Sequence, residues 1–321
     1  MNIKHTILMI TYNQEDYIKE TLECLFRQGV LPYEVFIADD YSTDNTRKII
    51  LEYKDKYPNI IKPIFHKANL GIYKNLNYII NNVKVNGDII SFLSGDDLYK
   101  DNMLLTFDNF IEENSLNPLD EKFLLLSTVV NLSPNGKEVE ILNNYEFKNK
   151  NHLELIKLRL RDKINSRCTG ISRLLFDEMD EWNLELGLWA DYLNSVDLYI
   201  KCNKFYFINK SFPIYRLGSG VTTTKKKEIF SKSWIKVANY IMQNRKEYLD
   251  TDDIIYLKKT VAKSKVELEN SLKNKIEFVI YYTLSFKDVL YGYSSLKEYL
   301  FQSSVFFPKS VKTVVKKLLG I

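Results

Sequence analysis

The chain has 321 residues, 45% of them apolar, and a formal net charge of +4. That length suits one large domain with an appendage, or two modest domains; the apolar share excludes wholesale disorder, and so mild a charge gives no ground for a nucleic-acid partner. Cys24, Cys168 and Cys202 are odd in number and lack CxxC spacing, which argues against a disulfide framework or a zinc–thiolate site and fits a reducing compartment.

The start, MNIKHTILMITYN, reads as a short strand entering a polar turn, so no export signal is expected, and no apolar run approaches the roughly 20 residues of a membrane span. The expected location is cytoplasmic. Residues 6–10 (TILMI) have the continuous apolar pattern of a strand covered on both faces. Asn13 is placed to cap a helix in which Ile18, Leu22, Leu25 and Phe26 recur at helical spacing. A second strand is predicted at 33–38, followed by a helix through Ile49, Ile50 and Tyr53 with Ser42 or Asp44 as its cap. A third strand falls near 60–65, a helix near 73–82, and a fourth strand, 88–93, runs into Ser94-Gly95-Asp96-Asp97. Further on, FLLLSTVV reads as a strand and Pro134-Asn135-Gly136 as a turn. Helices are predicted near 150–161 and 187–200, and short strands near 205–208 and 213–217. From about 225 the composition becomes Lys-rich and helical, which sets the expected division at 1–224 and 225–321.

Strands alternating with helices imply βαβ units and a mostly parallel sheet, with ligands at the carboxyl ends of the strands. Two acidic pairs sit at such ends, Asp39-Asp40 and Asp96-Asp97. Adjacent carboxylates after a flexible glycine suit a hard cation that also touches a diphosphate, Mg²⁺ or Mn²⁺. Either pair, taken alone, is also ordinary capping or turn chemistry. No GxxxxGK[ST], HExxH or GxSxG occurs, and His5, His66 and His152 are isolated and read as surface or packing residues.

The order of the motifs carries more than any one of them. I-T-Y-N at 10–13, A-D-D-Y-S-T-D-N-T at 38–46, N-L-G at 69–71 and S-G-D-D at 94–97 resemble the family 2 glycosyltransferases. The resemblance is close over residues 5–105 and looser to about 222. It implies a GT-A (nucleotide-diphospho-sugar transferase) α/β fold, a mostly parallel sheet flanked by helices, with a helical C-terminal extension. It implies that Thr11, Tyr12 and Asn13 line a nucleotide pocket, that Asp40 binds the base, and that Lys74 lies near the nucleotide. Asp96 and Asp97 would hold metal and diphosphate, with Asp97 the direct ligand; many relatives carry an acid where this chain has Ser94. Asp191, in L-W-A-D-Y (188–192), would be the catalytic base, ahead of Asp197 and Glu185, with Trp189 and Tyr192 as sugar or acceptor walls. Tyr215-Arg216-Leu217-Gly218-Ser219-Gly220 resembles the family's loop after its last strand, where Arg216 either helps to neutralise the diphosphate or serves as a structural ion-pair partner. Relatives often carry a His after that Arg, and this chain has none.

The resemblance implies inverting transfer from a nucleoside diphosphate sugar, UDP-linked by expectation, to a hydroxyl of a glycan or lipid-linked glycan. A Mn²⁺ or Mg²⁺ ion would assist, in a bacterial surface-polysaccharide setting. The alternative is a catalytically silent nucleotide-sugar-binding or scaffold protein of the same fold. Residues 308–321 pattern as a basic amphipathic helix, with Val311, Val314, Val315, Leu318 and Leu319 on one face. Such a helix either docks on its own domain or makes peripheral contact with an anionic membrane, at the inner face of the cell membrane. Apolar and Tyr-rich runs around 252–300 suit packing or a homo-oligomer equally.

Overall fold

The computed structural model describes residues 3–141, 150–161, 167–220, 226–269 and 271–284. They group into two units, 3–184 with 190–220, and 185–189 with 226–284.

The first unit is built on one mixed sheet. β1 (His5–Thr11), β2 (Glu34–Asp39), β3 (Ile61–Phe65) and β4 (Ile89–Ser94) are parallel neighbours in the order β3-β2-β1-β4. The helices α1 (Ile18–Leu25), α2 (Thr46–Lys56) and α3 (Ile72–Asn82) connect them. The apolar runs explain the burial, since Ile7, Leu8, Met9, Val35, Ile37, Ile89 and Ile90 are all fully enclosed. Each such side chain contributes roughly 1.5–3 kcal/mol relative to an exposed position. α1 buries Ile18, Thr21, Leu22 and Leu25, the i, i+3, i+4, i+7 stripe of a one-sided helix.

After β4 come β5 (Leu98–Tyr99), α4 (Met103–Glu113), β6 (Phe123–Leu132), β7 (Glu138–Ile141), α5 (His152–Leu160), β8 (Arg167–Ser172), α6 (Arg173–Phe176), α7 (Ala190–Lys201) and β9 (Lys204–Arg216). The sheet continues from β4 through β8, β6 and β9 to β5, and β7 forms a hairpin with β6 around the predicted Pro134-Asn135-Gly136 turn. β8 runs antiparallel to β4 and β6, while β9 is parallel to β6 and antiparallel to β5.

Three local expectations are corrected. Asn13 does not cap α1: it sits at φ 48, and its Oδ1 accepts the Thr43 amide at 2.8 Å, so the helix starts only at Ile18. The predicted helix 187–200 is broken at Gly187 (φ 72) into a 3-10 segment, Leu184–Trp189, and α7. The two short strands predicted near 205–208 and 213–217 are one strand, β9, whose pairing with β6 skips Asn209 and Lys210 at a bulge.

The second unit is helical over its described residues, with α8 (Lys227–Asn244), α9 (Thr251–Leu268) and α10 (Leu272–Leu284). Asp250 and Asp253 form a reciprocal capping box at the start of α9, at 2.9 and 3.0 Å. Val237, Ala238, Ile241, Leu257 and Ala262 are enclosed between these helices. Among the described residues no helix is long and apolar enough to cross a membrane. The predicted helix 308–321 lies outside the described residues.

Candidate active site

Strand register aligns the acidic pairs. Thr11 pairs with Asp39, Ile10 with Ser94, and Asp39 with Phe65, so the ends of the four parallel strands form one row. Two backbone bonds carry that row into the loops: Asp40 N donates to Thr11 O, and Gly95 N donates to Ile10 O, each at 2.9 Å.

At the β2 end the two aspartates have different work. Asp39 is fully buried; its Oδ2 accepts the Ser42 amide at 3.0 Å and the Arg47 guanidinium, and its Oδ1 has no hydrogen-bond partner among the described residues. Asp40, also buried, turns to the next loop. Its Oδ1 accepts Leu70 N at 2.6 Å, its Oδ2 accepts Gly71 N at 2.8 Å, and its carbonyl accepts Asn69 Nδ2 at 3.1 Å. Asp40 thus braces the N-L-G segment, and Gly71, at φ 85, turns the chain into α3. Tyr12 and Asn13 are exposed beside it, while Thr11 is buried and donates to Gln14 Oε1 at 2.7 Å.

The turn at 94–97 is held from three sides. Ser94 Oγ donates to Asp96 Oδ1. The Thr21 hydroxyl of α1 lies 2.9 Å from Gly95 O and 3.0 Å from Asp97 O. From β9, Arg216 N donates to Asp97 Oδ1 and Arg216 Nε to the Asp96 carbonyl, both at 3.0 Å. The Arg216 guanidinium also pairs with Glu20 at 2.7 Å and lies 5.0 Å from the centre of the Tyr17 ring. Gly95 is required by space: a Cβ there would sit 2.4 Å from Gln14 Oε1 and 2.7 Å from Thr11 Oγ1.

Asp191 is exposed in the first turn of α7, and its Oδ1 accepts Tyr192 N at 2.9 Å and the Tyr73 hydroxyl at 3.2 Å. Burial, and then the Asp191 charge, push the Tyr73 phenol well above its ordinary range, so it stays protonated and donates. Lys74, the next residue on α3, is exposed.

A cation must find its ligands in this set. Among the described residues no third His, Cys, Asp or Glu joins the acidic pair at 96–97. Two carboxylates at one turn still fit Mg²⁺ or Mn²⁺, which complete their shell with phosphate oxygens and water. They do not fit zinc, which takes three or four protein ligands.

Residues 6–117 match the family model of Glycosyl transferase family 2. The matched segment runs from β1 through α4, the half of the unit that holds the four parallel strand ends. An uncharacterized protein of Mycobacterium bovis is 38% identical over 102 residues, 32% of this chain and 29% of its own length. The dTDP-rhamnosyl transferase RfbG of Shigella flexneri is 38% identical over 111 residues, 33% of this chain and 38% of its own. The chain thus spans about a third of the length of these curated relatives. Among solved structures, S. aureus TarS 1-349 in complex with UDP-GlcNAc is 21% identical with a TM-score of 0.59, over 89% of this chain and 82% of that one. The mannosyltransferase PcManGT from Pyrobaculum calidifontis, in complex with GDP-Man and Mn²⁺, is 12% identical with a TM-score of 0.51, over 98% of this chain and 84% of that one. These likenesses agree with a GT-A fold.

The structure gathers Thr11, Asp40, Asp96, Asp97 and Arg216 at the strand ends, and brings Asp191 to the start of α3. Of the two expected walls, Tyr192 is instead a core side chain whose hydroxyl donates to Leu160 O at 2.6 Å. Trp189 is half-buried and packs on Phe230 and Trp234. Three contributors had escaped the sequence. Thr21 was detectable as a polar residue inside the apolar stripe of α1. Tyr73 carried no signal, because its partner is 118 residues away. His66, read as a packing residue, bonds Asn75 Oδ1 at 2.8 Å, and Asn75 Nδ2 donates to Ala38 O at 3.0 Å, which ties α3 to β2.

Proposed function

We propose that the protein transfers a sugar from a nucleoside diphosphate sugar, UDP-linked by preference, to a hydroxyl of a glycan or lipid-linked glycan, with inversion at the anomeric carbon. The observation that carries the proposal is the single row of strand ends, at which one side holds Asp96 and Asp97 and the other leads through Asp40 to α3 and Asp191. Ligands of parallel α/β sheets bind at such ends. The ligands named for the solved neighbours, UDP-GlcNAc in one and GDP-Man with Mn²⁺ in the other, support a nucleotide-sugar donor here.

In this reading Thr11, Tyr12 and Asn13 line the nucleotide pocket, with Asp40 and Lys74 beside them. Bound Mn²⁺ or Mg²⁺, held by Asp97 with Asp96 alongside, would offset charge developing on the leaving diphosphate. Arg216 adds to that effect by fixing Asp97 through its amide and by placing a cation near the same turn. Asp191 takes the proton of the acceptor hydroxyl as its oxygen bonds to the anomeric carbon. The bond from that carbon to the diphosphate breaks, and the nucleoside diphosphate departs with the electron pair. Titration calorimetry with UDP and Mn²⁺ tests the donor half. Metal-dependent binding that Asp97→Ala weakens at least tenfold is expected, and binding equal in wild type and Asp97→Ala would remove Asp97 from the metal site.

A further inference from the structure

The bond between Tyr73 and Asp191 joins residues that stand on separately anchored supports. α3 is fixed at its start by the two amide bonds from Leu70 and Gly71 to the Asp40 carboxylate. One turn on, buried Asn75 ties it to β2 through Ala38 O. Buried Asn77 then bonds Trp182 in both directions, Nδ2 to the carbonyl at 2.9 Å and Oδ1 from the amide at 2.7 Å. The same stretch of chain holds α7, because Asn194 Nδ2 donates to Asp180 O at 3.1 Å. Each of Asn75, Asn77 and Asn194 is at most 8% exposed. Asparagines buried this deeply keep their bonds, because an unmet buried amide costs about 1–3 kcal/mol. Tyr73 and Asp191 are therefore presented to one another by fixed backbone rather than meeting as two mobile surface side chains.

We infer that Tyr73 is a positioning residue for the base Asp191: its hydroxyl, with the Tyr192 amide, fixes Oδ1 and so sets the rotation of the carboxylate toward the acceptor. This inference rests on the proposed role of Asp191. It goes beyond that role by linking the base to the donor side, since the loop that Asp40 braces is the start of the helix that carries Tyr73.

The test is nucleoside diphosphate release from the preferred donor, with water as acceptor, in Tyr73→Phe, Asp191→Asn and the double variant. Tyr73→Phe keeps the ring and removes only the donor. Its kcat is expected to fall about tenfold, the effect of one aligned hydrogen bond to a charged group, with donor KM within about twofold of wild type. In the Asp191→Asn background the same change is expected to cost nothing further, because a group that acts only through Asp191 has nothing left to position. An equal loss in both backgrounds, or an unchanged kcat in Tyr73→Phe, would overturn the inference while leaving Asp191 as base. A wild-type rate in Asp191→Asn would remove the base assignment and the inference together.

Discussion

Asp40→Asn separates two roles for the same residue. If Asp40 only reads a base, its loss affects ligand binding alone; in this structure its two oxygens also accept the Leu70 and Gly71 amides at 2.6 and 2.8 Å while it is 5% exposed. Asparagine offers one carbonyl oxygen and turns an NH₂ toward the second amide. One charge-assisted bond is then lost, at about 1.5–3 kcal/mol, and the other becomes a weaker neutral bond. The expected cost is about 2–4 kcal/mol. For a unit of this size, each kcal/mol lowers Tm by about 2–4 °C, so thermal unfolding should come about 4–16 °C earlier. Differential scanning calorimetry of the full chain measures it without any ligand. A Tm within about 1 °C of wild type would refute the bracing role and return Asp40 to ligand contact alone.

Three further outcomes follow from the same geometry. Gly95→Ala should cost about 1–3 kcal/mol, because the new Cβ would lie 2.9 Å from Thr11 Cβ and the turn must move; UDP affinity unchanged by this substitution would mean that the 94–97 turn does not touch the donor. Burial raises the Glu34 carboxyl, but bonds from Lys62, Asn86 and Thr6 outweigh it and hold the group below its usual value near 4.5. A depressed folded value adds stability that is present above that pH and lost as pH falls through the folded value. Urea titrations at pH 7 and pH 3.5 should therefore show a larger loss for wild type than for Glu34→Gln, and equal losses would contradict this. Burial pushes Cys24 up to about 11 and Cys202 up to about 12. Peptide mapping after alkylation at pH 8 should find both unmodified in the native protein and modified in urea; native labelling of either would refute their enclosure.

Much of the first half was legible because its strands are continuous apolar runs and its helices show one clean apolar stripe. That the acidic pairs lie at strand ends was legible because the apolar runs of β2 and β4 stop beside them. What escaped has physical reasons. β9 looked like two strands because Asn209, Lys210 and Ser211 interrupt its apolar pattern, and the bulge absorbs that interruption. Asn13 looked like a cap because asparagine is a good one, but its side chain is taken by the Thr43 amide on another strand's loop. Tyr192 looked like a wall, although it lies on the buried side of α7. The Tyr73–Asp191 pair depends on the return of the chain 118 residues later, which no local pattern encodes.

Sugar transfer at this site is tested by nucleoside diphosphate release from a panel of UDP-, GDP- and dTDP-sugars, with Mn²⁺ or with chelator. Metal-dependent release from one donor, abolished in Asp97→Ala and strongly reduced in Asp191→Asn, is the predicted result. Release that neither substitution changes would contradict the site, and UDP binding without release from any donor, whatever acceptor is supplied, would contradict the transfer.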